Sequence, residues 1–150
     1  DSTGKDMPWV ESVCKSYNPD IVVLDMGDKF ANFGGFSRPD EALKANAIYA
    51  RQIAKEYGCA IFYMSQLNAE AEGRVNLDQS MMEGSRTGKA AEADLMILIA
   101  KSPQTSNNNG DAEVAEDDGF RHLVLAKNKL TGWHGRIVCE FNYLTGRYEA

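Results

Sequence analysis

The sequence contains no long hydrophobic run and no secretory signal. Nowhere in its 150 residues do about 18 apolar residues follow one another, the length that a membrane-spanning helix requires. The N-terminal stretch DSTGKDMPWV has neither the basic start nor the apolar centre of a signal peptide. These absences predict a soluble, cytoplasmic protein that does not contact a membrane.

Cysteine and histidine are scarce. The three cysteines are far apart and none lies in a C-x-x-C pair, which excludes a disulfide framework and a zinc site. The two histidines lack the acid-rich surroundings of a metal site or a nucleophile's base. The sequence therefore predicts neither cysteine-based nor histidine-based chemistry.

Positive charge is in deficit. The formal net charge is −6, from 22 acidic and 16 basic residues, which argues against nonspecific binding to nucleic acid by phosphate neutralisation. The charge is unevenly distributed, however, because residues 121–136 contain four Lys or Arg and no acid. This stretch is a candidate local anion site.

A complete phosphate-binding loop is also missing. The stretch GSRTGKAAEAD, residues 84–94, has three residues between its first two glycines where the P-loop motif has four, and Lys89 is followed by alanine. The N-terminal DSTGKD has acidic Asp6 where the motif requires a hydroxyl. Neither stretch is predicted to bind a triphosphate.

The first half of the sequence alternates strand and helix patterns. IVVLDMGD, residues 21–28, and CAIFYMSQL, residues 59–67, predict strands buried on both faces, and the region between them predicts a helix that ends at Gly58. A short helical pattern, residues 8–17, precedes them. This order predicts an α/β fold with a right-handed crossover and a parallel sheet.

The second half predicts a third buried strand and an antiparallel extension. LMILIA, residues 95–100, is the third strand, and residues 120–129 and 135–142 predict antiparallel strands, with TGRYE as a possible last strand. Residues near 68–88 and 102–119 are polar and aperiodic, which predicts flexible loops. The whole chain, residues 1–150, is interpreted as one domain.

Polar residues follow the two parallel strands. Asp25 comes directly after four apolar residues, and Gln66 ends the second strand. Ligands bind at this edge of open α/β sheets, where a carboxylate can hold Mg²⁺ and a glutamine can orient water or contact a γ-phosphate. An ordinary strand-end aspartate that caps a loop would give the same pattern, so both interpretations stay open.

Two lysines follow a later strand. In KNKLTG, Lys127 and Lys129 are separated by one residue and are predicted to share a face, with no acid nearby in the sequence. Unpaired ammonium groups are too costly to bury. They are therefore either solvated or available to an anion such as phosphate.

The order of these segments resembles the RecA-like motor domain of DnaB-type hexameric replicative helicases, particularly phage members. The resemblance rests on four segments in one order: IVVLD, IFYMSQLN, MEGSRTGKAAEADLMILIA and LVLAKNKLTGWHG. It implies a P-loop NTPase fold with a mainly parallel sheet flanked by helices, and a C-terminal antiparallel extension. It also implies an ATP-driven enzyme that translocates on single-stranded DNA in a bacterial or phage-infected cell, with ATP as substrate and Mg²⁺ as cofactor.

The resemblance assigns roles to individual residues. Asp25 corresponds to the Walker B carboxylate that holds Mg²⁺, and Gln66 to the sensor on the next strand. Lys127 and Lys129 correspond to the basic segment that reaches the γ-phosphate held by the neighbouring subunit. The region from Asn68 to about Met82 corresponds to the loop that faces the central channel and contacts single-stranded DNA. The expected DNA-binding residues lie in or beside this channel loop and comprise Asn68, Arg74, Arg86 and Lys89.

Three departures from the family pattern affect these assignments. Lys129 stands where an arginine finger is usual, and lysine lacks the bidentate fork of arginine. Acids outnumber bases in the channel loop. The Walker A loop and the catalytic glutamate are not found in the sequence, so the chain resembles the C-terminal part of a motor domain, an incomplete core for which an N-terminal half with Walker A is one candidate partner.

The alternatives are a non-hydrolysing RecA-like module that binds DNA or a partner, and a relative of recombinases or clock proteins. As a fragment, the chain is predicted to be inactive alone.

Overall fold

The computed structural model describes residues 4–84, 88–101 and 119–149. These residues form two compact units. The first unit contains the described residues up to Asn68 and those from Met82 to Ala93, and the second contains Ala69–Met81 and the described residues from Asp94 onward. The expected loop near 102–119 lies outside the described residues except for Gly119.

Three helices belong to the first unit. Helix α1 spans Met7–Tyr17, with the Asp6 carboxylate accepting a hydrogen bond from the Trp9 N–H at 3.0 Å. Helix α2 spans Pro39–Tyr57 and ends at Gly58, whose left-handed backbone (φ 65°) suits glycine. The five-residue helix α3 spans Gly88–Glu92. The two helices predicted from the sequence, over residues 8–17 and up to Gly58, are confirmed.

The first unit has a two-stranded parallel sheet. Strand β1, Ile21–Leu24, pairs in parallel with β2, Ala60–Tyr63, so that Leu24 lies opposite Tyr63. The inner face of this pair and one side of each long helix form the core. Its most buried members are Met7, Val10, Cys14, Leu24 and Ile53.

The outer face of the same pair is exposed, contrary to the prediction of strands buried on both faces. Val23 and Phe62, which lie opposite each other, are each 57% exposed, and Ile21 and Met64 are also exposed. The physical reason is that α1 and α2 both contribute to the core on the inner face. The first unit therefore presents an apolar sheet surface.

The second unit has a four-stranded antiparallel sheet. Its strands are β3, Leu95–Lys101; β4, Phe120–Asn128; β5, Gly135–Asn142; and β6, Arg147–Glu149, in the order β3-β4-β5-β6. The predicted antiparallel extension is confirmed. The predicted mainly parallel sheet is confirmed only for β1 and β2, because β3 pairs antiparallel with β4 and alternates between buried and exposed side chains.

Candidate functional site

Asp25 and Gln66 lie at the same edge of the parallel pair. Asp25 directly follows β1 and Gln66 follows β2 by three positions, and the two strands run in the same direction. Both residues are exposed. A carboxylate and an amide are therefore available at the carboxyl edge of the sheet, where α/β folds bind ligands.

A backbone irregularity follows Asp25. In a regular parallel ladder the Met64 carbonyl would accept from the N–H of Met26, since the Met64 N–H donates to the Leu24 carbonyl at 3.1 Å. Instead it accepts from the N–H of Gly27 at 2.9 Å. Met26 is the extra residue and has a left-handed backbone, with φ 55°. The chain thus bulges immediately after the candidate metal ligand.

Close packing requires glycine at position 27. A Cβ placed on Gly27 would lie 2.5 Å from the Tyr63 ring, well inside van der Waals contact. The Tyr63 hydroxyl donates to Asp28 Oδ1 at 3.4 Å. Burial raises the pKa of Tyr63 well above its ordinary value, and the negative charge of Asp28 raises it further. Tyr63 is therefore a neutral donor at this site.

Lys89 forms a buried ion pair beneath the strand ends. Its ammonium lies 3.0 and 2.9 Å from the two carboxylate oxygens of Asp28 and 2.7 Å from Ser65 Oγ. The Ser65 hydroxyl also donates to Asp28. The Lys89 side chain is 2% exposed and that of Asp28 16%. We call Asp28, Ser65 and Lys89 the clamp.

The clamp changes the interpretation of Lys89. The sequence places Lys89 among the DNA-binding residues, but Asp28 and Ser65 already occupy its ammonium and almost none of its side chain reaches solvent. This arrangement favours a structural role. The sequence does carry one signal of burial, because small residues surround the lysine: Gly88 and Ala90 are buried as well.

The other expected DNA-binding residues are Asn68, Arg74 and Arg86. Asn68 is half-buried in the first unit, whereas Arg74 is exposed in the second. Arg86 lies outside the described residues. The loop predicted near residues 68–88 contains two short 3₁₀ turns, Ala69–Ala71 and Gln79–Met81. Among the described members of this group, Asn68 and Lys89 thus belong to the first unit and Arg74 to the second.

Lys127 and Lys129 lie at the end of β4 in the second unit. Lys127 is half-buried and sits opposite Met96 in the sheet, and Lys129 is exposed just beyond the strand. No acid is near Lys129 in the sequence, but the fold brings its ammonium to 3.2 Å from Asp94 Oδ1, with 41% and 57% of the two side chains exposed. Such an exposed pair opens readily.

Asn128 fixes the turn that contains these lysines. Its side-chain oxygen accepts from the N–H groups of Leu130 and Thr131 at 3.0 and 3.2 Å, and its amide donates to Thr131 Oγ1 at 2.6 Å. The backbone N–H of Lys129 donates to the Asp94 carbonyl at 2.9 Å. The basic segment therefore has a defined conformation.

The described residues offer little for a protein-only metal site. In residues 4–84, 88–101 and 119–149, no three His, Cys, Asp or Glu side chains converge on a possible metal position. In the same residues no helix has the length and hydropathy needed to cross a membrane. A cation at Asp25 would thus need further ligands, such as phosphate oxygens and water.

Comparison with solved structures identifies the fold. The chain superposes on a DnaB-like replicative helicase, studied with its interactions with primase, at a TM-score of 0.77 and 17% identity, covering 99% of this chain and 36% of that one. It superposes on a second solved structure, an ATPase domain, at a TM-score of 0.76 and 16% identity, covering 97% of this chain and 51% of that one. No protein-family model and no curated protein sequence matches.

The chain thus shares its fold with part of a DnaB-like replicative helicase and with part of an ATPase domain, and it spans about a third to a half of these two chains.

Proposed function

We propose that this chain is part of an ATP-driven replicative DNA helicase and supplies one portion of its RecA-like motor domain. The fold shared with a replicative helicase and with an ATPase domain supports the class of motor. The observation that carries the proposal is the placement of Asp25 and Gln66, both exposed, at the carboxyl edge of one parallel strand pair. This is the edge at which such folds bind nucleotide.

In this proposal Asp25 helps to hold Mg²⁺ and Gln66 contacts the γ-phosphate or the attacking water. Mg²⁺ in phosphoryl-transfer sites takes one or two protein oxygens and completes its shell with phosphate and water. A single exposed carboxylate fits that ligand set. When bound, Mg·ATP would supply the reactive phosphoryl group. The Asp25 carboxylate would help to hold the Mg²⁺ ion, and the Gln66 amide would donate or accept a hydrogen bond without titrating.

In this proposal the P-loop comes from a further segment, of the same polypeptide or of another. The sequence contains no complete P-loop motif. The outer face of the β1–β2 pair exposes Ile21, Val23, Phe62 and Met64, whereas parallel strands are generally covered on both faces. We propose that the segment carrying the P-loop covers this face and completes the domain.

The proposed assembly is a homohexamer that surrounds single-stranded DNA, with ATP between subunits. Lys127 and Lys129 would reach the nucleotide of the neighbouring subunit, and the Lys129–Asp94 pair would open to release the ammonium. Asn68, Arg74 and Arg86 would contact the DNA backbone, and backbone N–H groups would add to a weakly basic loop. We leave Lys89 out of this proposed DNA contact, because Asp28 and Ser65 already bind its ammonium.

The alternative is a non-hydrolysing module that binds DNA or a partner. The absence of a complete P-loop favours it. It differs from the motor in one measurable respect, because no assembly containing this chain would hydrolyse ATP.

The test is ATP hydrolysis by this chain alone and by its assembly with a P-loop-bearing segment. We expect background activity for the chain alone, and DNA-stimulated hydrolysis for the assembly that Asp25→Ala abolishes. Asp20→Ala is the matched control, because Asp20 is an exposed acid that precedes the same strand. Turnover by the isolated chain that Asp25→Ala removes would refute the requirement for a P-loop partner. An inactive assembly would support the alternative.

Lys129→Ala tests the proposed action between subunits. In the active assembly it should reduce hydrolysis and leave ATP affinity within about tenfold, because the group acts on transition-state charge. Arginine fingers contribute about 10³ to 10⁵ in rate, and we expect less from lysine. If Lys127→Ala abolishes hydrolysis and Lys129→Ala has no effect, the role assigned to Lys129 is wrong.

A further inference from the structure

We infer that Lys89 is a positioning residue, which fixes the segment after β1 and the segment after β2 relative to each other and so holds Asp25 and Gln66 in place. The geometric part of this inference rests on the clamp alone. Its consequence for hydrolysis rests on the proposed function. Lys89 acts on the two strand ends through Asp28 and Ser65, the partners of its ammonium.

The contacts of the ammonium are complete. A lysine ammonium has three N–H donors, and three acceptors surround it: the two oxygens of Asp28, at 3.0 and 2.9 Å, and Ser65 Oγ, at 2.7 Å. The side chain is 2% exposed, so water competes little for these donors. The ammonium is thus committed to two chain segments at once.

The two partners of Lys89 each adjoin a strand end: Asp28 lies after β1 and Ser65 lies after β2. Asp28 follows Asp25 through the bulge at Met26, and the N–H of Gly27 donates to the Met64 carbonyl at 2.9 Å. Ser65 directly precedes Gln66 in the sequence. A shift of either Asp28 or Ser65 would therefore move the backbone next to a proposed nucleotide contact.

The returning chain is tied to the same place. The Gln66 carbonyl accepts a hydrogen bond from the N–H of Glu83 at 3.1 Å, and Leu67 pairs with Met82 in an isolated antiparallel bridge. Lys89 lies six residues beyond Glu83 on helix α3. The clamp thus joins three separate stretches of the first unit: the end of β1, the end of β2 and the start of α3.

An ion pair fixes the relative position of two chain segments more narrowly than apolar contact does. Buried charges are poor sources of stability because their desolvation offsets their attraction, but they are satisfied in few geometries. Apolar side chains of similar volume would tolerate small displacements between the two strand ends. The clamp accepts only those positions that bring one ammonium to three oxygens.

The first experiment measures amide hydrogen exchange in this chain. The reporters are the N–H groups of Gly27 and Glu83, whose acceptors lie beside the clamp. In Lys89→Met, exchange at both reporters should accelerate about tenfold or more beyond any change at the interior amides of α2, since removing one partner of a buried pair is expensive. Lys44→Met makes the same substitution at an exposed position of α2 and should leave both reporters unchanged.

A second variant covers the case in which Lys89→Met does not fold. Ser65→Ala removes the hydroxyl between the ammonium and the end of β2, and should accelerate exchange at Glu83. Exchange at the two reporters that rises no more than exchange within α2 would show a general loss of stability, and would overturn the positioning role.

The second experiment separates this inference from the proposed function. In an assembly that hydrolyses ATP, Lys89→Met should lower kcat about tenfold or more and leave KM within a few fold, as expected for misplaced catalytic groups. An unchanged kcat would refute the catalytic consequence. If no assembly hydrolyses ATP, the proposed function fails, and hydrogen exchange alone decides whether Lys89 positions the strand ends.

Discussion

We expect Asp28→Asn to destabilise the first unit strongly. The substitution keeps the size of the side chain and removes its negative charge. The Lys89 ammonium, on a side chain 2% exposed, would then remain buried without a counter-ion and with weaker acceptors. Breaking a buried ion pair from one side destabilises proteins by about 3–5 kcal/mol, because the remaining charge is left uncompensated.

The exposure of Asp28 and of Lys89 shows which of the two substitutions should lower the free energy of unfolding more. Asp28 is 16% exposed and would retain two hydroxyl donors, from Ser65 and Tyr63, if the lysine were replaced. Lys89 has no comparable access to water. Asp28→Asn should therefore lower the free energy of unfolding more than Lys89→Met, because in Lys89→Met the remaining carboxylate can be hydrated.

The matched control is Asp94→Asn, which removes the acid of the exposed Lys129–Asp94 pair. That pair has 41% and 57% of its side chains exposed, and exposed pairs contribute about 0.2–1 kcal/mol. Total stabilities of domains are about 5–15 kcal/mol. For a chain of this length, about 3–5 kcal/mol corresponds to a fall in Tm of roughly 6–20 °C, well beyond that of the control.

Urea and thermal unfolding, followed by circular dichroism at neutral pH, measure these differences. The wild-type chain, Asp28→Asn and Asp94→Asn should be compared at the same protein concentration. The reasoning is refuted if the two variants differ in free energy of unfolding by less than about 0.5 kcal/mol, the usual range for surface substitutions.

The remaining predictions concern packing and titration in the first unit. Gly27→Ala should lower the free energy of unfolding by about 1–3 kcal/mol, the usual cost of overpacking, because the new Cβ would lie 2.5 Å from the Tyr63 ring; an unchanged unfolding midpoint would contradict this. The hydrogen bond to Glu11 raises the pKa of Tyr49 to about 12, from an ordinary value of 10.0. Because the folded state holds this proton more tightly, its stabilising effect is complete below pH 10.0 and is lost as pH rises towards 12. Ultraviolet titration of tyrosine should show that Glu11→Gln lowers this pKa, and an identical titration curve would refute the assignment.

Local patterns predicted the secondary structure well. The helix that ends at Gly58 and the strand of residues 135–142 are where periodicity and turn residues indicate. These features depend on neighbouring residues, which the sequence displays directly. The structural match to a DnaB-like replicative helicase confirms the resemblance in fold that the order of the four segments indicates.

Tertiary pairing could not be predicted in the same way. Asp28 and Lys89 are 61 positions apart, and a polar residue at each position is equally consistent with a solvated surface. The apolar run of β1 also does not reveal how many faces are covered, because Ile21 and Val23 are as hydrophobic as the buried Leu24. Which side chains meet depends on the arrangement of elements, and local periodicity does not encode it.

The left-handed backbone of Met26 determines which amino acids this position can accept. The left-handed conformation raises the free energy of a residue with a Cβ by about 1–2 kcal/mol. Glycine has no such penalty, and asparagine adopts this conformation more readily than most residues. Met26, with φ 55°, is therefore not the residue best suited to its own backbone. In a complete substitution scan, glycine and asparagine should be tolerated at position 26, whereas valine and isoleucine, equally apolar but β-branched, should be rejected. A sequence profile that scores this position by hydrophobicity would rank these substitutions in the opposite order.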